Sequence, residues 1–316
     1  ASLEKDFAFL PARPAPMFIP NNEQRFDGDA EFLGDPRSEA AYITYYLKKR
    51  QLMGEMKIEI YDPDGKLLTT LPANKRRGIN RVAWQMRMKP PRTPSGANVI
   101  RAPGSFLGPR VMAGDYVVKV IKGNDVFQSK VSLVPDPRAS YTAEDRQAQH
   151  ETAMKLYGMM SDLTYLYDAL MDARAQATDR AGKLAAKDGA QKQLQTFTAQ
   201  LNSLRGDLSA QKEGWLTGEE KLRERLGALY GAVNIYDGRP TQSMYDNLKL
   251  MEKELADATN RLQGTFNKQL SSVNAALTKS KAESITTLSR EAWEAKASSA
   301  TGGAKASDED VLIEKD

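Results

Sequence analysis

Two hydrophobic periods divide this chain. Up to about residue 138, apolar positions recur at every second residue. Beyond Thr142 they recur at every third or fourth. The clearest alternation runs from Arg77 to Arg87. Asn80, Val82, Trp84 and Met86 share one face there; Arg81, Ala83, Gln85 and Arg87 share the other. That pattern marks a strand with one face on a core and one in water. Ala41 to Leu47 is rich in tyrosine and β-branched residues and reads as a strand. Met56, Ile58 and Ile60 alternate with Lys57, Glu59 and Tyr61. Asp62-Pro63-Asp64-Gly65 then turns the chain back into Lys66 to Leu71. Proline presets φ in that turn and glycine supplies positive φ, so a hairpin is expected. Tyr116, Val118 and Val120, the turn Gly123-Asn124-Asp125, and Phe127, Val131 and Leu133 complete the series. About six or seven strands at this spacing predict a small antiparallel β-sandwich over residues 38–138, with Trp84 at its centre.

Val134-Pro135-Asp136-Pro137-Arg138 ends the last strand stiffly. Thr142 and Asp145 then form a capping box. Ala153, Leu156, Met160, Leu163, Tyr167 and Leu170 line one face of a helix expected to reach about Lys187, where Asp188-Gly189 breaks it. Leu194, Phe197, Leu201, Leu204 and Leu208 define a second helix, from about Gln191 to Lys212. Thr217 and Glu220 start a third, running to Ile235. Pro240-Thr241 opens a long fourth, with one apolar stripe from Met244 to Leu277. Long helices with a single stripe pack as an antiparallel bundle of three or four. The expected fold class is therefore α+β as separate domains, with the bundle over residues 139–279.

Three stretches fit neither period. Residues 1–37 form a proline-rich, extended arm broken at Pro11, Pro14, Pro16 and Pro20, with Phe7, Phe9, Leu10, Met17 and Phe18 needing cover. The arm packs along its own domain or docks on a partner. Met88 to Gly114 is a long loop rich in proline and glycine, with Val99, Ile100, Phe106 and Leu107 as apolar contacts. It packs on its own chain or binds a partner. Residues 280–316 are a low-complexity tail, expected to be disordered alone and ordered by a partner or another part of a large assembly, with Trp293 anchoring a short helix. The candidate partner-binding residues are thus Phe7, Phe9, Met17, Phe18, Val99, Ile100, Phe106, Leu107 and Trp293.

Chemistry changes this picture little. No cysteine is present, which removes disulfides, thiol nucleophiles and thiolate metal sites, and His150 is the single histidine. Asp62, Asp64 and Gly65 begin like a calcium loop but lack its closing glutamate. No nucleophile elbow or phosphate loop occurs. Catalytic, metal and cofactor residues are accordingly expected to be none. Tyr42, Tyr45 and Tyr46 could form a carbohydrate platform, although packing in a strand is the commoner use of such residues. The net charge of +4 is spread among both signs, so no nucleic-acid partner is expected. No apolar run approaches the ~18–20 residues that span a bilayer. The chain begins at Ala1 without a signal-peptide pattern, which fits a cytosolic protein or one numbered after processing.

Several segments together resemble a known family: Ala40-Ala41-Tyr42-Ile43-Thr44-Tyr45-Tyr46-Leu47, Ile58 to Gly65, Gly78-Ile79-Asn80-Arg81-Val82-Ala83-Trp84 and Gly108 to Tyr116. They are similar to the Ig-like module related to that of the flagellar hook capping protein. The version they resemble stands at the C-terminus of bacterial secreted proteins with sortilin-like, Asp-box β-propellers, often labelled glycosyl hydrolase. Leu229-Tyr230-Gly231-Ala232-Val233 and Asp237-Gly238-Arg239-Pro240-Thr241 resemble the helical region that follows it. The resemblance covers roughly residues 32–278. It implies an Ig-like sandwich, a location in the periplasm or at the cell exterior, and protein partners that include a propeller or a larger assembly. No Asp-box repeat occurs in the chain, so the hydrolase label does not transfer. A non-enzymatic interaction module is the first expectation. An accessory region of a secreted propeller enzyme and a carbohydrate-binding sandwich are the alternatives.

Overall fold

The computed structural model describes residues 4–18, 39–98, 100, 102–212 and 219–301. The fold is α+β, with sheets in the N-terminal part and helices in the C-terminal part. The strands are β1 (Phe7–Phe9), β2 (Ala15–Met17), β3 (Ala41–Leu47), β4 (Met56–Tyr61), β5 (Leu67–Pro72), β6 (Gly78–Trp84), β7 (Gly114–Lys122) and β8 (Asp125–Pro135). They form a three-stranded sheet in the order β1-β3-β6 and a five-stranded sheet in the order β2-β8-β7-β4-β5.

One apolar core joins the two sheets. It contains Ile43, Tyr45 and Leu47 from β3, Ile58 and Ile60 from β4, Val118 and Val120 from β7, and Trp84 from β6. The alternation in β6 holds: Asn80, Trp84 and Met86 are buried, while Ile79, Arg81, Ala83 and Gln85 face solvent. Trp84 meets Tyr116 edge-on, with ring centroids 5.3 Å apart. Its Nε1 donates to the Arg87 carbonyl at 3.0 Å. The β4–β5 turn forms as its sequence dictates. Gly65 takes φ +83°, and the Lys66 amide donates to the Asp62 side chain at 2.8 Å.

The described part of the arm packs along its own domain, the first of its two readings, and it does so as strands at Phe7–Phe9 and Ala15–Met17. β1 pairs antiparallel with β3, and β2 pairs parallel with β8. The sheets are therefore not antiparallel throughout. Pro16 is tolerated because β2 is an edge strand, where a missing N–H breaks no inner ladder. The remainder of the arm, residues 19–37, lies outside the described residues.

The helices are α1 (Ala143–Lys183), α2 (Gln191–Leu208), α3 (Leu222–Ile235), α4 (Gln242–Thr265), α5 (Ser271–Lys279) and α6 (Arg290–Thr301). α1 starts at the expected capping box: Thr142 and Asp145 exchange hydrogen bonds at 3.2 and 3.1 Å. It ends at Lys183, four residues earlier than its periodicity suggests. Asp188 then bonds the Ala190 amide at 2.8 Å ahead of α2. α3 begins at Leu222, where Glu224 accepts from the Lys221 amide at 3.1 Å; Thr217 lies outside the described residues. The long fourth helix is interrupted by a π-helical turn, Phe266–Leu270, between α4 and α5.

The chain divides into two compact units, and the division does not fall at residue 138. The first comprises Ala1–Pro91, Ile100–Gly158 and Leu226–Lys249. The second comprises Arg92–Val99, Met159–Arg225 and Leu250–Asp316. The long loop is thus shared between them: residues 92–99 belong to the second unit and residues 100–113 to the first. In the second unit, Leu163, Leu170, Phe197, Leu201, Leu204, Leu262, Val273 and Leu277 are buried, as their spacing predicts.

Candidate functional site

A polar cluster of the first unit surrounds residues 102–111. These residues run as a 3-10 turn (Pro103–Phe106) and then extended chain with few ladder bonds of its own. A loop of this kind carries backbone carbonyls that burial would leave unpaired. Side chains from α3, α1 and the end of β6 supply the donors. Asn234 is only 2% exposed. Its Nδ2 donates to the carbonyls of Gly104 and Leu107, both at 3.0 Å, and its Oδ1 accepts from Arg87 at 3.1 Å. Tyr230, one turn earlier on α3, donates its hydroxyl to the Leu107 carbonyl at 2.6 Å. Arg87 also donates to the Gly108 carbonyl at 3.0 Å.

Two glycines make this approach possible. A Cβ on Gly104 would stand 2.3 Å from the Gly231 carbonyl oxygen. A Cβ on Gly231 would stand 2.6 Å from the Ala102 side chain. The 3-10 turn therefore lies directly on the backbone of α3. This contact explains the glycine in Leu229-Tyr230-Gly231-Ala232-Val233.

The rest of the cluster continues the theme. Arg110 pairs with Asp237 at 2.7 Å, with both side chains about nine-tenths buried, and donates to the Phe18 carbonyl. Arg146 donates to the carbonyls of Arg110 and Val111 at 3.0 and 3.1 Å, and to Gln149. Burial, then the charge of Arg110, holds the Arg146 guanidinium down at about 10, so it remains a cation at neutral pH. Burial lowers Arg87 as well, again with Arg110 contributing. A cleft of about 170 Å³ opens beside this cluster, lined by Met17, Arg110, Met112, Tyr141, Arg146 and Asp237 among others. Its guanidinium groups already serve loop carbonyls and Asp237. What this arrangement does chemically is hold backbone in place.

His150 belongs to the same cluster. Its Nδ1 lies 3.1 Å from the Arg110 carbonyl, so the neutral ring carries its proton there and donates it. Burial, reinforced by Arg146, lowers its pKa below the ordinary value; the Arg110 carbonyl and Glu151 oppose this weakly. The unfolded chain then binds the proton more readily than the folded one. Stability from neutral His150 is complete above the ordinary pKa of about 6.5 and declines as pH falls through and below it. Thermal melts between about pH 7.5 and 5 should show this decline, and His150→Gln should flatten it.

The second unit fastens residues 92–98 in the same manner. Arg223, 8% exposed, donates to the carbonyls of Pro94 and Asn98 at 2.6 and 2.8 Å and pairs with Glu224 at 2.7 Å. Thr164 donates to the Arg92 carbonyl at 2.9 Å, and Ser209 to the Ser95 carbonyl at 3.0 Å.

Most of the residues proposed to bind a partner are committed within the chain. Phe7 is buried, stacked on Phe127 with centroids 4.1 Å apart and on Tyr45 at 5.4 Å. Phe9 is half-buried edge-on to Phe7. Met17 is in the core, and half-buried Phe18 lies under Arg138. Ile100 is buried against Gly227. Trp293 is buried in the second unit, where its Nε1 donates to Asp168 at 2.7 Å and Arg92 covers its ring at 3.5 Å. Phe7, Met17, Ile100 and Trp293 are corrected from partner surface to internal packing, whereas Phe9 and Phe18 are half-buried against their own unit. Val99 lies outside the described residues. Phe106 and Leu107 do face solvent.

The tail expectation is corrected as well, as far as residue 301. Ile285 is buried, and its amide and carbonyl both bond Asn274, at 2.8 and 3.0 Å. Thr286 exchanges two hydrogen bonds with Gln176, both at 3.0 Å. The chain itself orders this stretch. The tyrosine platform is divided too. Tyr45 points into the core and donates to the Asn74 carbonyl, whereas Tyr42 and Tyr46 lie on the opposite face of β3. Arg81 covers the Tyr42 ring.

Among the described residues, no group of three or more acidic or histidine side chains is placed to hold a metal ion. No helix among them is long and apolar enough to cross a membrane. No protein-family model matches the chain, and no curated protein matches it. Among solved structures the chain is similar to CopC from Methylosinus trichosporium OB3b, at 18% identity over 32% of this chain and 80% of that one, with a TM-score of 0.18. A likeness that slight carries no argument.

Proposed function

We propose that this chain is a non-enzymatic structural and interaction module of a bacterial cell-envelope or secreted assembly, built as an Ig-like β-sandwich followed by a helical bundle. The observation that carries this reading is the use made of its buried and half-buried arginines. Arg87, Arg110, Arg146 and Arg223 all donate to backbone carbonyls or to a neighbouring carboxylate or amide. A reaction centre needs polar groups left available for a substrate; this cluster uses its groups as fasteners. The Ig-like reading is supported by Tyr116 near the start of β7. Its hydroxyl donates to the Met112 carbonyl at 2.6 Å, four residues upstream, in the manner of a tyrosine corner.

The family likeness favours a second reading, an accessory region of a secreted β-propeller enzyme. Residues of the similar segments, among them Tyr230, Gly231 and Asp237, are those that fasten the loop. In that reading any hydrolase chemistry would lie on a propeller outside this chain, and Asp-box repeats in the adjoining reading frame would favour it.

Chemical cross-linking of the tagged chain in envelope and secreted fractions, followed by affinity capture, tests the first reading. A defined protein partner at constant stoichiometry is expected. Recovery only as a free monomer would overturn it.

A further inference from the structure

We infer that one end of the first unit is a docking tip for an anionic phospholipid surface. The strand pairing assembles it. Leu47 at the end of β3 pairs with Gly78 at the start of β6, and Met56 at the start of β4 pairs with Lys122 at the end of β7. The β3–β4 loop, the β5–β6 loop and the β7–β8 turn therefore meet at one end. Hydrogen bonds hold them together: the Gln51 amide donates to the Lys75 carbonyl at 3.0 Å, Lys75 Nζ to the Gly54 carbonyl at 2.9 Å, and the Gly123 amide to the Glu55 carbonyl at 3.3 Å.

Two features coincide on this tip. Leu52 and Met53 are the most exposed large apolar residues described, at 78% and 81%, and Ile79, next to Gly78 at the start of β6, is 69% exposed. Around them stand Lys48, Lys49, Arg50, Lys75, Arg76 and Arg77, with Glu55 the only carboxylate in the two loops. These loops carry more positive charge than the chain's net +4. Glu4, Asp6 and Asp125 are the other acids at this end, partly offset by Lys5 and Lys122. Among the described residues, Lys49, Arg50, Arg76 and Arg77 form no ion pair.

A solvent-facing tip does not need paired aliphatic side chains, and they are costly to leave in water. Aliphatic side chains ringed by lysine and arginine suit a bilayer interface: the apolar groups enter the headgroup–acyl boundary and the cations meet lipid phosphates. The charge alone would also suit a nucleic acid. However, the two loops contain no aromatic ring to stack on bases, while their exposed aliphatics have no use in that role.

The test uses the full chain with sedimenting vesicles of phosphatidylcholine alone or mixed in equal parts with phosphatidylglycerol. Binding to the anionic vesicles only is expected, weakening with salt. Arg76→Glu with Arg77→Glu should weaken it by about tenfold or more. Leu52→Ser with Met53→Ser should remove the part that resists salt. All four side chains are exposed, so unchanged thermal melts should accompany both losses. No sedimentation with anionic vesicles, or sedimentation indifferent to both variants, would overturn the inference. Oligonucleotide binding equal to vesicle binding and indifferent to Leu52 and Met53 would reassign the tip to a soluble polyanion.

Discussion

Replacing Asn234 by alanine should lower stability by about 3–4 kcal/mol, a large fraction of what a folded domain has. The side chain is small and polar, yet the expected loss rivals that of a core aromatic. Its amide nitrogen satisfies the Gly104 and Leu107 carbonyls, and its oxygen satisfies Arg87. The variant loses these three hydrogen bonds, worth about 0.5–1.5 kcal/mol for each neutral one and about 1.5–3 kcal/mol for the one to Arg87, although Tyr230 still serves the Leu107 carbonyl and Arg87 still reaches the Gly108 carbonyl. Denaturant unfolding gives the number directly. Asn234→Asp is the informative companion: it keeps the acceptor for Arg87 but turns oxygens toward the loop carbonyls. It should therefore remain clearly destabilised. A loss below 1 kcal/mol in the alanine variant would mean that the loop does not depend on this side chain.

The second large effect is expected at Trp84. It is among the largest fully buried side chains and sits where both sheets contribute to one core. Trp84→Ala should cost about 3–5 kcal/mol, from lost transfer energy and the cavity left behind. It also removes the indole donor from the Arg87 carbonyl. Since Arg87 is itself a fastener of the loop, the damage should spread from the core to residues 104–111. Trp84→Phe keeps most of the apolar volume and should cost distinctly less. Equal losses in the two variants would show that the indole N–H, rather than the volume, dominates.

The parts of the fold legible in the sequence are those set by local chemistry. The turn at Asp62-Pro63-Asp64-Gly65, the buried face of β6 and the capping box at Thr142 each depend on residues close together in the chain. Helical periodicity likewise placed Leu194 to Leu208 on a buried stripe. What was not legible depends on distant pairing. β1 and β2 are only three residues long and lie among prolines, so no periodicity can announce them. They are strands because β3 and β8 offer open edges. Asn234 meets the loop across more than 120 residues, and an asparagine near the end of a helix gives no sign of that use. Its neighbours Tyr230 and Gly231 were conspicuous as a motif, but their role appears only once Gly104 lies against them. Ile285 and Trp293 stand in polar sequence that composition alone assigns to disorder. Two side-chain hydrogen-bond pairs, with Asn274 and with Gln176, and one tryptophan pocket are enough to order it.

Side chains of α3 fasten residues 104–108 of the long loop, and amide hydrogen exchange tests this most directly. Ser105 donates to the Ala102 carbonyl at 2.8 Å, Met88 to Pro109 at 2.9 Å and Val111 to Met86 at 3.0 Å. In the native protein these three amides should exchange nearly as slowly as those of β7, and in Asn234→Ala they should lose that protection well before β7 does. Exchange of the three at the rate of an unstructured peptide in the native protein would contradict it.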